Sequence, residues 1–317
     1  MYEVQSVSSG IITASPVVAI MGPTASGKTG LAIELAKKCN GEVISVDSAL
    51  VYKGMDIGTA KPTQEEQAGV KHHLIDIIDP AESYSVSQFV NDTNALIGEI
   101  LAKGKLPILA GGTMMYFNAL INGISPLPKS DEVVRNEIAE QAKRDGWAVL
   151  HNELCSVDAV SGERIHPNDP QRIMRALEVY RSTGRTLTEW QQQEGRKCPF
   201  TISQFAIAPE DRAVLHQRIA KRFDIMLSQG FKQEVEKLYE RNDLHEDLPS
   251  IRSVGYRQMW QHLDGKLDAD EMRERGIIAT RQLAKRQLTW LRGWEQVSWL
   301  DTFANDNLTK ITAKVTL

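Results

Sequence analysis

With 317 residues, 42% apolar and 25% charged, the chain is long enough for one large or two modest domains and has the composition of an ordinary globular protein. A net charge of −4 excludes a uniformly basic nucleic-acid binder, so any surface for a polyanion has to arise by local clustering. Cys39, Cys155 and Cys198 are odd in number and far apart, which disfavours a disulfide framework and a zinc site and suits a reducing cytoplasm; no apolar run approaches a membrane span.

Residues 1–15 are rich in Ser and small residues and lack a basic leader, so they read as an N-terminal extension rather than a signal peptide. Val17–Met21 is apolar and β-branched, as a buried parallel strand should be. Directly after it comes Gly22-Pro23-Thr24-Ala25-Ser26-Gly27-Lys28-Thr29, a G-x-x-x-x-G-K-T phosphate loop, and then the helix formers Leu31–Ala36. In such a loop glycines let backbone N–H groups close around phosphate oxygens, Lys28 reaches the terminal phosphates, and the Thr29 hydroxyl can join a Mg²⁺ shell. A second strand, Glu42–Asp47, ends in an acid; a helix is predicted over 87–103, and Leu106–Ala110 is a third strand running into Gly111-Gly112-Thr113. This alternation argues for a parallel α/β sheet, in which functional groups gather beyond the carboxyl ends of the strands. Ser125-Pro126-Leu127-Pro128 interrupts it. From there the signals are helical only: a helix capped by Ser130-Asp131 and closed by Gly146, then Leu150–Leu154, Pro170–Tyr180 and Leu187–Gln193. A small all-helical domain over 126–195 is therefore expected, inserted into a core made of 16–125 and 196–317. Phe205–Ala208 returns to the sheet, and helices follow at roughly 211–228, 231–241, 255–263 and 270–293.

Several constellations carry chemistry and also have plainer readings. Asp47, opposite the phosphate loop, suits a general base or a Mg²⁺-shell ligand, and equally a turn cap. Gly111-Gly112-Thr113 suits close approach of a substrate, or a tight turn with positive φ. Arg218 and Arg222 lie one helical turn apart and would repel unless an anion such as a diphosphate sits between them. Between Arg164 and Arg185 there are five arginines against two acids, and residues 252–292 hold nine Lys or Arg against five acids, so positive charge concentrates in the inserted segment and the C-terminal helices. In the last helix Ile277, Ala284, Leu288 and Leu291 share one stripe, flanked by Arg281, Lys285 and Arg292. The histidines form no metal-ligand spacing or His/Cys cluster, and the tryptophans at 260, 290, 294 and 299 read as C-terminal core.

With these residues in view, the chain resembles the bacterial tRNA dimethylallyltransferases. The resemblance runs from GPTASGKT through DSALVYKGMDIGTAKP at 47–62, GGTMMYF at 111–117, HPNDPQR at 166–172 and RSVGYRQMW at 252–260 to TRQLAKRQLTWLRGW at 280–294. Eukaryotic members often add a C-terminal zinc finger, which this sequence does not include. The resemblance implies a P-loop NTPase-like α/β core and transfer of a dimethylallyl group from dimethylallyl diphosphate to N6 of the adenosine at position 37, 3′ of the anticodon, in tRNAs reading codons that begin with U. It implies that Gly22–Thr29 and Arg218 hold the diphosphate, that Thr29 helps place Mg²⁺, that Asp47 accepts the proton of the attacking amine, and that Thr113 and Arg222 position base and diphosphate. It further implies tRNA contacts at Asp47, Ser48, Ala49 and Leu50, at Arg135, at Gln171, Arg172, Ile173, Met174 and Arg175, and at Arg252, Ser253, Val254, Gly255, Tyr256 and Arg257. Lys285, Arg286, Gln287, Leu288, Thr289, Trp290, Leu291 and Arg292 complete that set, with the inserted domain clamping the anticodon stem-loop. A cytoplasmic monomer is expected. Two other readings remain at this point: a small-molecule kinase using ATP, and a non-enzymatic, nucleotide-gated RNA-binding protein.

Overall fold

The chain is described by a computed structural model over residues 17–193, 195 and 197–315; the expected extension at 1–15 lies outside the described residues. Six strands form one all-parallel sheet: β1 (Val17–Met21), β2 (Gly41–Val46), β3 (His72–His73), β4 (Leu106–Gly111), β5 (Ile202–Ala208) and β6 (Ser298–Asp301), in the order β3-β2-β4-β1-β5-β6. All five residues of β1 are buried, which is why that strand reads as an unbroken apolar run and sits between β4 and β5. Asp47, Gly22 and Gly112 follow the carboxyl ends of β2, β1 and β4, so the chemistry collects along one edge of the sheet. The short edge strands β3 and β6 were not expected, nor were the helices Gln64–Gln67, Met114–Asn122, Ala159–Arg164 and Asn307–Thr312.

The chain divides into two compact units, one running to Ala119 and resuming at Pro199, the other comprising Leu120–Cys198. The second unit has its own apolar core, built from Ile138, Leu150, Leu154, Ile173, Leu177 and their neighbours. Asp131 caps its first helix, Glu132–Asp145, by accepting from Val133 N–H and Val134 N–H at 3.0 and 3.2 Å. Ser130, expected to share that task, instead donates its hydroxyl to Glu178 at 2.7 Å.

In the first unit, helices Arg212–Ser228, Phe231–Tyr239, Tyr256–Leu263 and Ala269–Arg292 pack around a core that includes Phe223, Phe231, Tyr256 and Leu288. The stripe foreseen on the last helix is buried there, Ile277, Ala284, Leu288 and Leu291 all facing inward. Trp260 joins that core, but Trp290 and Trp299 are each 47% exposed, contrary to expectation. Trp290 lies off the buried stripe of its helix, and Trp299 sits on the edge strand β6, where no further strand covers it.

Phe231 is fully buried and meets Phe223 and Tyr256 edge-on, at centroid distances of 6.3 and 5.1 Å. Phe231→Ala is expected to destabilise the first unit by about 3–5 kcal/mol, read as a lower denaturant midpoint in equilibrium unfolding.

Candidate active site

The phosphate loop links β1 to the helix Lys28–Lys38. Ala25 at φ 63° and Gly27 at φ 89° take left-handed turns that help converge the loop's N–H groups on an anion. Gly27 is also the N-cap of the helix and offers no capping side chain, so the first-turn amides are left for a ligand. Three side chains from distant parts of the sequence brace the backbone of the loop. Arg218 Nε donates to Ala25 O at 2.8 Å, Thr302 Oγ1 donates to Ser26 O at 2.9 Å, and Thr24 N–H donates to Gln287 Oε1 at 2.9 Å. Gln287 closes the arrangement by donating Nε2 to Gly112 O at 2.8 Å, which ties the loop to the end of β4.

Lys28 carries a charge that its surroundings disfavour. Burial pulls its pKa from 10.5 down to about 8; Asp47 works against that shift, and Arg222 adds to it. Burial also pulls Arg222 below its ordinary value, with Arg218 contributing and Asp47 and Glu66 opposing. Two cations and one carboxylate thus share a cleft whose local charge is incomplete without an anion. The cleft encloses about 1040 Å³ of space, including its open mouth. Its polar lining includes Thr24, Lys28, Thr29, Asp47 and Arg222, and its apolar lining Leu50, Ile219, Phe223, Met226, Val254 and Leu283. A second, wider opening shares Lys28, Thr29, Arg222 and Met226 with it and adds Arg218 and Lys221.

Asp47 Oδ1 accepts the N–H of Ala49 at 2.9 Å, so the residue does form the turn cap that its position allowed, while also lining the cleft. Thr113 does not line the cleft. Its Oγ1 accepts from Ser48 N–H at 3.0 Å, and its own N–H donates to Val46 O at 3.2 Å, which fixes the turn that carries Asp47. Neither of the two glycines before it has a positive φ, and Gly111 lines the cleft. A Cβ on Gly111 would lie 2.0 Å from Val46 O and one on Gly112 2.4 Å from Gln287 Nε2, so their bareness lets β2, β4 and Gln287 close up behind the phosphate loop.

Arg218 holds Ala25 O and lies over the Phe303 ring at 5.7 Å while lining the wider opening beside Lys28 and Thr29, whereas Arg222 lines both openings. Of the expected RNA contacts, Asp47, Ala49, Leu50, Ser253, Val254, Gly255 and Gln287 line the cleft. Arg252, Arg257, Lys285, Arg286, Thr289, Trp290 and Arg292 are exposed. Arg273 and Arg275 on the last helix pair with Asp224 and Glu271 at 2.6 and 3.8 Å, but Arg252, Arg257, Lys285, Arg286 and Arg292 take no ion pair among the described residues. Four expected contacts are corrected: Ile173, Tyr256, Leu288 and Leu291 are buried core residues. The basic stretch 164–185 is also more neutral than its composition suggests. Arg172 pairs with Asp169, Arg175 with Glu178 at 3.0 Å and Arg181 with Glu153 at 2.6 Å, and Arg135 also reaches Glu178, at 3.4 Å. Burial raises the pKa of Glu178, but hydrogen bonds from Ser130, Asp131 N–H and Arg175 outweigh it and hold the group below its usual range. Against expectation, one His–Cys neighbour pair exists, with Cys155 Sγ 3.7 Å from His151 Nδ1; among the described residues no three His, Cys, Asp or Glu side chains gather as a metal cage.

The IPP transferase family model matches residues 50–294. The chain belongs to the IPP transferase family. It is 40% identical to the full-length tRNA isopentenylpyrophosphate transferase of Bacillus halodurans, whose crystal structure superposes with a TM-score of 0.70 over 95% of both chains. It is 36% identical to the tRNA delta(2)-isopentenylpyrophosphate transferase of Staphylococcus epidermidis, with a TM-score of 0.68 over 95% of this chain and 98% of that one. A eukaryotic dimethylallyltransferase acting on tRNA is 29% identical, with a TM-score of 0.78 over 95% of this chain and 78% of that one.

An anion in the loop favours charged Lys28, so binding raises a pKa that stands near 8 in the free protein. Diphosphate binding is therefore expected to take up a proton at pH 8.5 and to weaken as pH rises further. Titration calorimetry in buffers of different ionisation enthalpy reads the uptake, and Lys28→Met is expected to abolish it. Gln287→Leu leaves Thr24 N–H and Gly112 O without partners at a cost of about 1–3 kcal/mol, and is expected to weaken diphosphate binding about tenfold or more in the same titration.

Proposed function

We propose that this family member transfers a dimethylallyl group from dimethylallyl diphosphate to N6 of the adenosine at position 37 in tRNAs reading codons that begin with U. The observation that carries the reading is the juxtaposition, in one cleft, of the phosphate loop, Asp47 and Arg222 with the apolar side chains of Leu50, Ile219, Phe223, Met226, Val254 and Leu283. Those side chains suit a branched five-carbon tail attached to a diphosphate better than they suit a ribose.

The loop amides, Lys28 and Arg222 bind the diphosphate and neutralise the charge that builds on it as the C1–O bond breaks. The N6–C1 bond forms, the diphosphate leaves, and Asp47 accepts the proton that the amine must lose. Because Asp47 Oδ1 is held by Ala49 N–H, Oδ2 is the oxygen presented to that proton. Thr113 acts indirectly by fixing the Asp47 turn through Ser48. The adenine reaches the cleft by leaving its stack, as chemistry on a nucleobase requires. The unpaired cations Arg252, Arg257, Lys285, Arg286 and Arg292 supply the electrostatic attraction for the anticodon stem-loop.

Mg²⁺ fits this site: Thr29 offers a hydroxyl on the cleft wall beside Lys28, and a hard cation commonly completes its shell with waters and substrate phosphate oxygens. When bound it supplies further charge stabilisation to the diphosphate. A monomer suffices for this reaction, and an odd number of widely spaced cysteines suits the cytoplasm.

Asp47→Asn is expected to lower the single-turnover rate by about 10²–10⁴-fold while leaving tRNA affinity near wild type. Nucleoside mass spectrometry of the tRNA product measures the rate, and equal rates for the two proteins would remove Asp47 from this role.

A further inference from the structure

The cleft has two walls that come from distant parts of the sequence, and one carboxylate stands behind both. Gly58, Thr59 and Ala60 form part of one wall, and Ser253, Val254 and Gly255 part of the other. Glu234, in the first turn of the helix Phe231–Tyr239, accepts from three consecutive backbone N–H groups of the first segment: Asp56 at 2.9 Å and Ile57 at 2.7 Å through Oε2, and Gly58 at 3.1 Å through Oε1. The same Oε1 accepts the hydroxyl of Tyr256, which directly follows the second segment.

The surroundings leave this arrangement little slack. Tyr256 is fully buried, and burial together with the charge of Glu234 pushes its hydroxyl pKa well above the usual range, so it remains a donor. Gly58 presses on the two rings beside Glu234: a Cβ there would lie 2.2 Å from Phe231 and 2.6 Å from Tyr256. Gly255 turns into its helix at φ 93°, with Phe231 3.4 Å from where its Cβ would be. Lys61 anchors the far end of the first segment through Tyr52 O at 2.9 Å and Asp56 Oδ1 at 2.6 Å. Glu234 forms no ion pair among the described residues, so its hydrogen-bonding capacity goes to the backbone amides and the phenol.

We infer that Glu234 is a positioning residue that couples the two walls of the cleft and so sets the spacing in which the acceptor base is held. The inference rests on the transfer reaction proposed above. It separates from binding of the diphosphate itself, because the phosphate loop has its own braces in Gln287, Arg218 and Thr302, none of which touches Glu234. In Glu234→Gln one oxygen becomes an amide nitrogen that faces backbone donors, so part of the three-amide clasp is lost while size and shape are kept. In Tyr256→Phe the clasp survives and only the link between the walls is cut.

The test measures three quantities on wild type, Glu234→Gln, Tyr256→Phe and the double variant, at a temperature where circular dichroism shows all four folded. These are the affinity for inorganic diphosphate without tRNA, the single-turnover transfer rate at saturating dimethylallyl diphosphate, and the tRNA concentration giving half that rate. A displacement of the wall by an ångström costs about 10²-fold in rate. Glu234→Gln is therefore expected to lose transfer on that scale with diphosphate affinity unchanged, Tyr256→Phe to lose less, and the double variant to be no worse than Glu234→Gln. Wild-type-like transfer by Glu234→Gln, losses that simply add in the double variant, or a fall in diphosphate affinity that accounts for the fall in transfer would each overturn the inference. Failure of the wild-type protein itself to prenylate tRNA would instead contradict the proposed reaction, while the diphosphate titration still reports whether the walls act independently of the loop.

Discussion

The constraint on which the site depends is the burial of positive charge at the end of the central strand. Lys28 and Arg222 are both desolvated, both have their charged forms disfavoured by that burial, and Asp47 opposes the effect at both, joined by Glu66 at Arg222. A cleft of this kind is strained in the electrostatic sense until an anion enters, and a diphosphate relieves the strain. The surrounding structure keeps the cations in place meanwhile. Gln287, Arg218 and Thr302 hold the loop by its backbone, so the loop need not reorganise when the ligand arrives.

The same economy explains the layout of the strand ends. Asp47 is useful only if its turn is rigid, and the turn is made rigid by Thr113 and Ser48 rather than by the acid alone. The glycines at 111 and 112 allow the strands and Gln287 to approach closely enough for this, which gives them a packing role that their position beside a candidate substrate site disguised. A phosphate loop, a turn bearing a carboxylate and a helix bearing a glutamine therefore act as one unit.

How much of this was legible in the sequence depends on distance along the chain. The phosphate loop, β1, β2 and β4 were readable because each is a local signal: eight contiguous motif residues, or one unbroken apolar run. The edge strands were not, because β3 is two histidines and β6 is four residues that are only partly buried. The braces of the loop were invisible for a different reason. They join residues 263, 193 and 276 positions apart, and no local pattern distinguishes a glutamine that will be buried beneath a loop from one on a helix surface. Resemblance to a family had a complementary blind spot. It marked 171–175, 252–257 and 285–292 as whole segments, yet Ile173, Tyr256, Leu288 and Leu291 are the inward faces of those segments and hold the arginines' side of the helix outward. Charge counts misled in the helical unit, where acids at 153 and 178 pair with arginines that composition alone left free.

The central claim is that this phosphate loop grips a leaving group rather than the phosphates of a nucleotide being hydrolysed. Phosphorus NMR of a reaction containing the purified chain, Mg²⁺, tRNA and dimethylallyl diphosphate tests it most directly, with ATP substituted for the donor in a parallel sample. The account predicts free diphosphate appearing in a one-to-one ratio with prenylated adenosine, and no tRNA-dependent conversion of ATP to ADP. ADP formation coupled to tRNA, or diphosphate released without prenylated adenosine, would contradict it.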